Sequence, residues 1–272
     1  MDNPPDRTNL HRREAEFSDE WAQSTPLDEV RVRQYFEAPT ALENRHILNC
    51  LGPLTGKSIL DIGAGLGESS VYFALLGARV TMVDISPEMV ALAGRLAEKH
   101  GVKINAIVMS AENLPFPDES FDIVYIANTL HHIHDRSHML QQIRRVLKRG
   151  GRFVSWDPIA YNPVINVYRR MATMNRTEDE TPLRRADLKM VRQYFQKVQH
   201  KEFWVASLAL FLKYYLVDRV HPNQDRYWKR ILKESPESLR WWLPLTRLDS
   251  LLTSLPGVRW LAWNMVMYGE KI

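Results

Sequence analysis

Gly63, Gly65 and Gly67 stand between Asp61 and Glu68 in the stretch "LDIGAGLGESS" (60–70), directly behind a short apolar run. Glycines spaced this way let the chain take positive φ, and they leave a backbone without Cβ atoms, against which a ligand can rest. Seventeen residues past Gly67 a second apolar run ends at Asp84, whose carboxylate can accept hydrogen bonds from both hydroxyls of a ribose. The pair of features points to a ligand that carries a nucleoside. A third group, His131, His132 and His134 in "NTLHHIHD", follows a fourth apolar run and offers bases suited to taking a proton from an acceptor. Asp157 and Tyr161 follow a fifth run and are expected at the same edge.

The kind of nucleoside is narrowed by charge. Dinucleotide sites favour G-x-G-x-x-G, with the pyrophosphate at the N-terminus of the next helix. Here the third glycine position is Glu68, an anion where a pyrophosphate would sit, which disfavours a hydride-transfer enzyme. A ligand with no phosphate and a cationic end suits Asp61 and Glu68, and S-adenosylmethionine has both a sulfonium and an ammonium. Its methyl is already electrophilic, so a protein using it must hold a nucleophile in line and exclude water. No metal is required. A base is needed only where the acceptor is a hydroxyl or a ring carbon.

These residues must be positioned by strands and helices. "SILDIG" (58–63), "RVTMVDI" (79–85), "INAIVM" (104–109), "FDIVYIA" (121–127) and "GRFVSWD" (151–157) are short apolar runs alternating with helical segments, the pattern of a parallel sheet covered on both faces. The helix after Asp84 has Ser86 as N-cap, Pro87 in the first turn and Gly101 past its end; another starts at Asp135 and is expected to run to Gly150 and Gly151. "QHKEFWV" and "RWLAWNMVMYG" supply two last strands, with helices expected over 207–254 between them. The predicted fold class is α/β, a Rossmann-like, seven-stranded, mostly parallel sheet. The predicted organisation is an N-terminal helical segment (1–52), a nucleoside-binding core (53–157) and an acceptor-binding insertion with a helical cap and the last strands (158–272).

"LDIGAGLGESS", "VTMVDIS", "SAENLPFPDESFDIVYIANTLHHI" and "LKRGGRFV", in this order and spacing, resemble the class I S-adenosylmethionine-dependent methyltransferases, particularly the branch acting on small molecules and lipids that includes quinone-ring C-methyltransferases. The resemblance covers about residues 57–157. It implies that Asp61, Gly63, Ala64, Gly65 and Gly67 flank the methionine part of the cofactor, that Asp84 binds the ribose, that Ile85 packs on the adenine, that Ser110, Ala111 and Glu112 lie beside the base, and that Asn128 faces the sulfonium. Family members usually carry an acid where this chain has Ser110, and a proline where it has Arg149. His131 and His132 are the leading candidates for a base, with Tyr161 a third; the bland alternative is that the histidines cap or pack their loop.

Composition bounds the rest. A chain of 272 residues with 45% hydrophobic content can bury a sizeable core. Its single cysteine, Cys50, excludes an internal disulfide, and the polar start has no apolar core of a secretory signal, so a cytoplasmic location is expected. Residues 1–150 carry 16 Lys+Arg against 20 Asp+Glu, and the remainder 20 against 12, so the C-terminal part is basic. Six of the eight tryptophans (Trp204, Trp228, Trp241, Trp242, Trp260 and Trp263) lie beyond residue 200. Greasy helices over 207–254 suggest a hydrophobic small-molecule acceptor, and basic plus aromatic content also fits peripheral contact with an anionic membrane. Nucleic acid is disfavoured, because "IANTLHH" stands where amine-methylating enzymes of bases place a D/N-P-P-aromatic tetrad. Glu178, Asp179 and Glu180 read as an exposed acidic turn, and Arg169, Arg170 and Arg176 as either an anion contact or a solvated helix face. A noncatalytic nucleoside-binding module is the alternative from another class.

Overall fold

The computed structural model describes residues 7–177, 180–234, 236–237 and 239–272. The chain opens with three helices, α1 (Arg7–Ser24), α2 (Val32–Glu37) and α3 (Leu42–Leu51), and then alternates: β1 (Ser58–Ile62), α4 (Glu68–Leu75), β2 (Arg79–Asp84), α5 (Pro87–Lys99), β3 (Ile104–Val108), β4 (Phe121–Ala127), α6 (Arg136–Val146) and β5 (Leu147–Pro158). Helices α7 (Pro163–Met171) and α8 (Arg185–Tyr194) lead to β6 (Gln196–Phe203). A cap of α9 (Ala209–Leu216), α10 (Tyr227–Arg230) and α11 (Leu243–Leu252) precedes β7 (Asn264–Glu270).

The strands form one seven-stranded sheet in the order β3-β2-β1-β4-β5-β7-β6, parallel except for β7, which runs antiparallel to both neighbours. Both faces are buried. In β4 the alternating side chains Ile123 and Tyr125 enter one core, with Phe36, Phe73 and Trp156, while Val124 and Ile126 enter the other, with Leu60, Ile143 and Phe153. The chain leaves β1 toward β2 and β3 and then returns to β4 on the other side, so the strand order reverses between β1 and β4. A crevice opens at the carboxyl ends of those two strands, where ligands bind in such sheets.

Local chemistry explains most element ends. Ser86 Oγ accepts from the Met89 N–H at 3.0 Å with Pro87 in the first turn, and Asp135 accepts from His138 N–H at 3.0 Å. The helix after Asp135 ends at Val146, short of the two glycines expected to stop it. Leu147 turns extended, is fully buried and pairs with Phe121, so the sheet claims residues assigned to the helix; Gly150, at φ +72°, serves an irregular turn within β5. Helix in the cap is likewise narrower than the apolar pattern, with α11 confined to Leu243–Leu252.

The cap's aromatics make a core. Trp204 and Trp242 are fully buried with ring centroids 5.2 Å apart, and Phe211 lies 4.9 Å from Trp263 and 5.3 Å from Tyr168. Buried Asp249 on α11 caps the turn before α9, accepting from the N–H groups of Val205, Ala206 and Ser207. No helix among the described residues is long and apolar enough to cross a membrane. Asp249→Ala would strand those three donors and is expected to cost about 2–4 kcal/mol, since each unsatisfied buried donor costs about 1–3 kcal/mol and some recover water. Urea unfolding measures it, and a loss below about 0.5 kcal/mol would show the cap is not anchored there.

Candidate active site

The crevice is a cavity of about 300 Å³. Its floor is the loop after β1 with Gly63, Ala64 and Gly65, then Asp84 and Ile85 after β2, Ser110, Ala111 and Glu112 after β3, and Asn128 after β4. The structure therefore gathers nine of the cofactor-site residues expected from the sequence into one place. Asp61 and Gly67 do not line it.

The three glycines do different work. At Gly63 (φ +65°) a Cβ would fall 2.3 Å from Thr129 Oγ1, so the close approach there is made by the chain's own β4 loop. At Gly67 (φ +85°) it would fall 2.5 Å from the Ala93 Cβ, a helix packing contact. Only at Gly65 (φ +55°) is the space above the backbone open, leaving a bare cradle. Asp84 Oδ2 accepts from the Gly65 N–H at 2.8 Å and Oδ1 accepts from Ser86 N–H at 3.0 Å, which uses two of the carboxylate's roughly four acceptor positions and leaves others for a ribose. Burial raises Asp84, against the hydrogen bonds from Ser86 and Gly65.

Asp61 is structural. It is buried and accepts from the hydroxyls of Ser69 and Ser70 at 2.6 and 2.7 Å, which locks β1 to α4. Burial pushes it up to about 6, against those two hydrogen bonds.

The histidines divide by environment. His131 is buried, and its Nδ1 lies 2.8 Å from Asp157 Oδ1, which also accepts from the His131 backbone N–H at 3.2 Å. Burial, and then the charges of His132, Arg169, Arg136 and Arg176, hold His131 well below its ordinary value. For His132 burial acts downward, yet Glu14 at 2.7 Å outweighs it and raises the group on balance. Both rings line the cavity, as does Arg169; His134 does not. Burial pushes Asp157 up to about 8, against the hydrogen bond from His131 and the charges of Arg136 and His132. Tyr161, expected beside them, is instead 39% exposed, accepts from Arg185 N–H at 3.2 Å, packs against Trp260 and does not line the cavity.

The reading of an exposed acidic turn is corrected at Glu180. Its carboxylate is sequestered, paired with Arg169 at 3.3 Å and Arg176 at 2.9 Å, and it lies at the cavity beside the histidines. Glu178 and Asp179 lie outside the described residues. Of the three arginines only Arg170 is on a solvated face.

Two walls were not found by sequence reasoning. One is α1, which contributes His11, Glu14, Ser18 and Trp21; their spacing of three and four along a helix was the available signal. The other is the cap, where Arg226, Trp228 and Lys229 face Trp21, with Arg226 4.0 Å above the Trp21 ring and the two indoles 5.6 Å apart.

Residues 60–155 match the family described as a methyltransferase domain. Residues 60–155 form a class I, S-adenosylmethionine-dependent methyltransferase domain. Over 132 residues, 48% of this chain and 51% of its relative, the chain is 36% identical to the uncharacterized methyltransferase YcgJ of Bacillus subtilis (strain 168). Over 124 residues, 44% of this chain and 45% of the other, it is 38% identical to the 27-O-demethylrifamycin SV methyltransferase of Amycolatopsis mediterranei (strain S699). The crystal structure of the B. subtilis YcgJ protein matches with a TM-score of 0.56 at 20% identity over 84% of this chain and 97% of that one, a likeness of fold. This chain spans about half the length of the curated relatives it matches. The residues of the domain fit its cofactor: an open cradle at Gly65, an acceptor-rich Asp84, and an acid, Glu68, right behind the glycine loop, paired with Lys229.

Gly65→Ala is expected to abolish detectable S-adenosylhomocysteine binding in calorimetry while costing only about 1 kcal/mol of stability, the penalty of a non-glycine residue at left-handed φ. Gly67→Ala adds a clash with Ala93 and is expected to cost about 2–4 kcal/mol. Equal melting temperatures for the two variants would contradict this division. Asp61, raised from its ordinary 3.8 to about 6, holds its proton more tightly in the folded chain, so its contribution is full below pH 3.8 and declines as pH rises to about 6. The melting temperature of Asp61→Asn relative to the unaltered protein should therefore climb between pH 4 and 6 and then level off; a pH-independent difference would refute the buried carboxyl.

Proposed function

We propose that this chain transfers a methyl group from S-adenosylmethionine to a hydroxyl oxygen of a small, largely apolar acceptor, with His131 as the base and Asp157 as the residue that positions it. The observation that carries this reading is the 2.8 Å contact of His131 Nδ1 with Asp157 inside the cavity that also holds the glycine cradle. With Nδ1 occupied by Asp157, Nε2 is the ring nitrogen available to an acceptor's proton.

The cofactor, when bound, supplies a methyl on a sulfonium that is electrophilic without metal or redox help. The chain's own part is orientation and proton removal. His131 takes the hydroxyl proton at Nε2 while Asp157 accepts from Nδ1–H, fixing the ring and stabilising the imidazolium that burial would otherwise disfavour. Arg169 and Arg176 stand near enough to Glu180 and the histidines to favour an acceptor oxygen that gains negative charge. Ile165, Tyr168, Ala172 and Trp263 line the same cavity and supply its apolar wall. We read 158–272 as the acceptor-binding part because these residues and both arginines belong to it. The Amycolatopsis relative is named for 27-O-demethylrifamycin SV, a substrate lacking a methyl on oxygen, which supports oxygen as acceptor atom.

Peripheral contact with an anionic membrane belongs to the same reading of the cap. It draws support from Leu216, Val217 and Leu251, which are 64–71% exposed, rather than from the tryptophans, of which Trp204 and Trp242 are core.

His131→Ala is expected to lower turnover by about 10²- to 10⁴-fold, the usual contribution of a positioned base, with S-adenosylhomocysteine affinity unchanged. The buried pair keeps an extra proton until about pH 8, so turnover should rise with pH and level above that value, and Asp157→Asn should remove this limb. Methyl transfer from labelled cofactor into candidate hydroxylated acceptors measures both. A rate indifferent to His131→Ala would discard the base, and a flat profile from pH 6 to 9 would discard the shared proton.

A further inference from the structure

Glu68 opens α4 directly after the glycine loop, and Lys229 reaches it from α10 in the cap, 161 residues along the chain. The two side chains form an ion pair that is 21% exposed at Lys229 and 8% at Glu68. Three rings surround the ammonium, with centroids 5.0 Å away for Trp228 and 5.5 Å for both Trp21 and Tyr35. All five residues line the cavity that contains Gly63 and Gly65.

Burying an ion pair is costly, and mutual attraction alone often fails to offset the lost hydration unless further hydrogen bonds complete both groups. Here the pair is incomplete. Glu68 uses Oε1 for Lys229, and among the described residues its Oε2 accepts no hydrogen bond. Lys229 donates to no second side chain among them, although an ammonium carries three donors. The unfilled valences are one carboxylate oxygen and two N–H groups, side by side on the edge of a cofactor cavity. That set is complementary to a group with an ammonium and a carboxylate on one carbon. A phosphate would meet Glu68 as a like charge, and a simple cation would meet Lys229.

We propose that the Glu68–Lys229 pair binds the zwitterionic amino-acid end of the cofactor, Glu68 accepting from its ammonium and Lys229 donating to its carboxylate. The proposal rests on the S-adenosylmethionine reading above. It makes the cap part of the cofactor site, because Lys229 comes from the acceptor-side segment while Glu68 comes from the glycine-loop helix. Cofactor binding would thereby hold residues 226–230 against α1 through Trp21 and Trp228.

The test compares two ligands by calorimetry: S-adenosylhomocysteine, and 5′-methylthioadenosine, which has the nucleoside and sulfur without the amino-acid end. Lys229→Met, and the double variant Glu68→Gln/Lys229→Met that leaves no unpaired buried charge, should weaken S-adenosylhomocysteine by about tenfold or more, as expected for losing a charge-assisted hydrogen bond. Both should bind 5′-methylthioadenosine within about twofold of the unaltered protein, and Lys229→Arg should recover most of the lost affinity. Equal weakening of both ligands, or undiminished S-adenosylhomocysteine binding, would overturn the proposal and leave the pair a packing contact. If neither ligand binds the unaltered protein, the cofactor reading itself fails, a result separate from either of these.

Discussion

The site depends on one hydrogen bond between two strand ends: the Asp84 carboxylate accepts from the Gly65 N–H at 2.8 Å. It ties the loop after β1 to the end of β2 and holds Gly65 at a positive φ, with its open face toward the cavity. The strand order reverses between β1 and β4, and the crevice opens at the carboxyl ends of these strands. The same carboxylate accepts from Ser86 N–H, and Ser86 caps α5, so one buried acid fixes the loop, the strand end and the next helix together. Asp84 also lines the cavity.

Around that fixed floor the cavity is walled by charges held out of water in small, locally balanced groups. Glu180 lies between Arg169 and Arg176, His132 against Glu14, His131 against Asp157, and Glu68 against Lys229. The Glu180 pairs lie within the 160–183 insertion, whereas His132–Glu14 and Glu68–Lys229 bring α1 and the cap onto the cavity from distant parts of the chain. In such a low-dielectric setting small differences in partner decide protonation: burial, and then His132 and nearby arginines, lower His131, whereas for its neighbour His132 the Glu14 carboxylate on α1 outweighs burial and raises the group.

Much of the core was legible in the sequence because its signals are local. The apolar runs of β1 to β4, the N-caps Ser86 and Asp135, and the glycine loop each follow from neighbouring residues. Where the reading failed, a distant partner decided. Leu147 continues a helical pattern but pairs with Phe121 in the sheet; Glu180 sits in an acidic, turn-like string but is claimed by two arginines; Tyr161 follows the right strand but turns outward to Arg185 and Trp260. For the α1 wall the only signal was a helical spacing, and a helix face carrying Glu14, Ser18 and Trp21 looks the same whether it covers a cavity or a core.

By itself the sequence determined the class of fold, the glycine loop at the crevice and the acid at the end of β2, because backbone φ, strand periodicity and the nearest carboxylate depend on short stretches of chain. Only the tertiary structure decided which glycine leaves open space at the cavity, which histidine has a carboxylate behind it within the sheet, and that Asp61 is bonded to Ser69 and Ser70. Those outcomes turn on which side chains arrive from elsewhere, Thr129 at Gly63, Ala93 at Gly67, Asp157 at His131, and burial then sets the charge of what they meet.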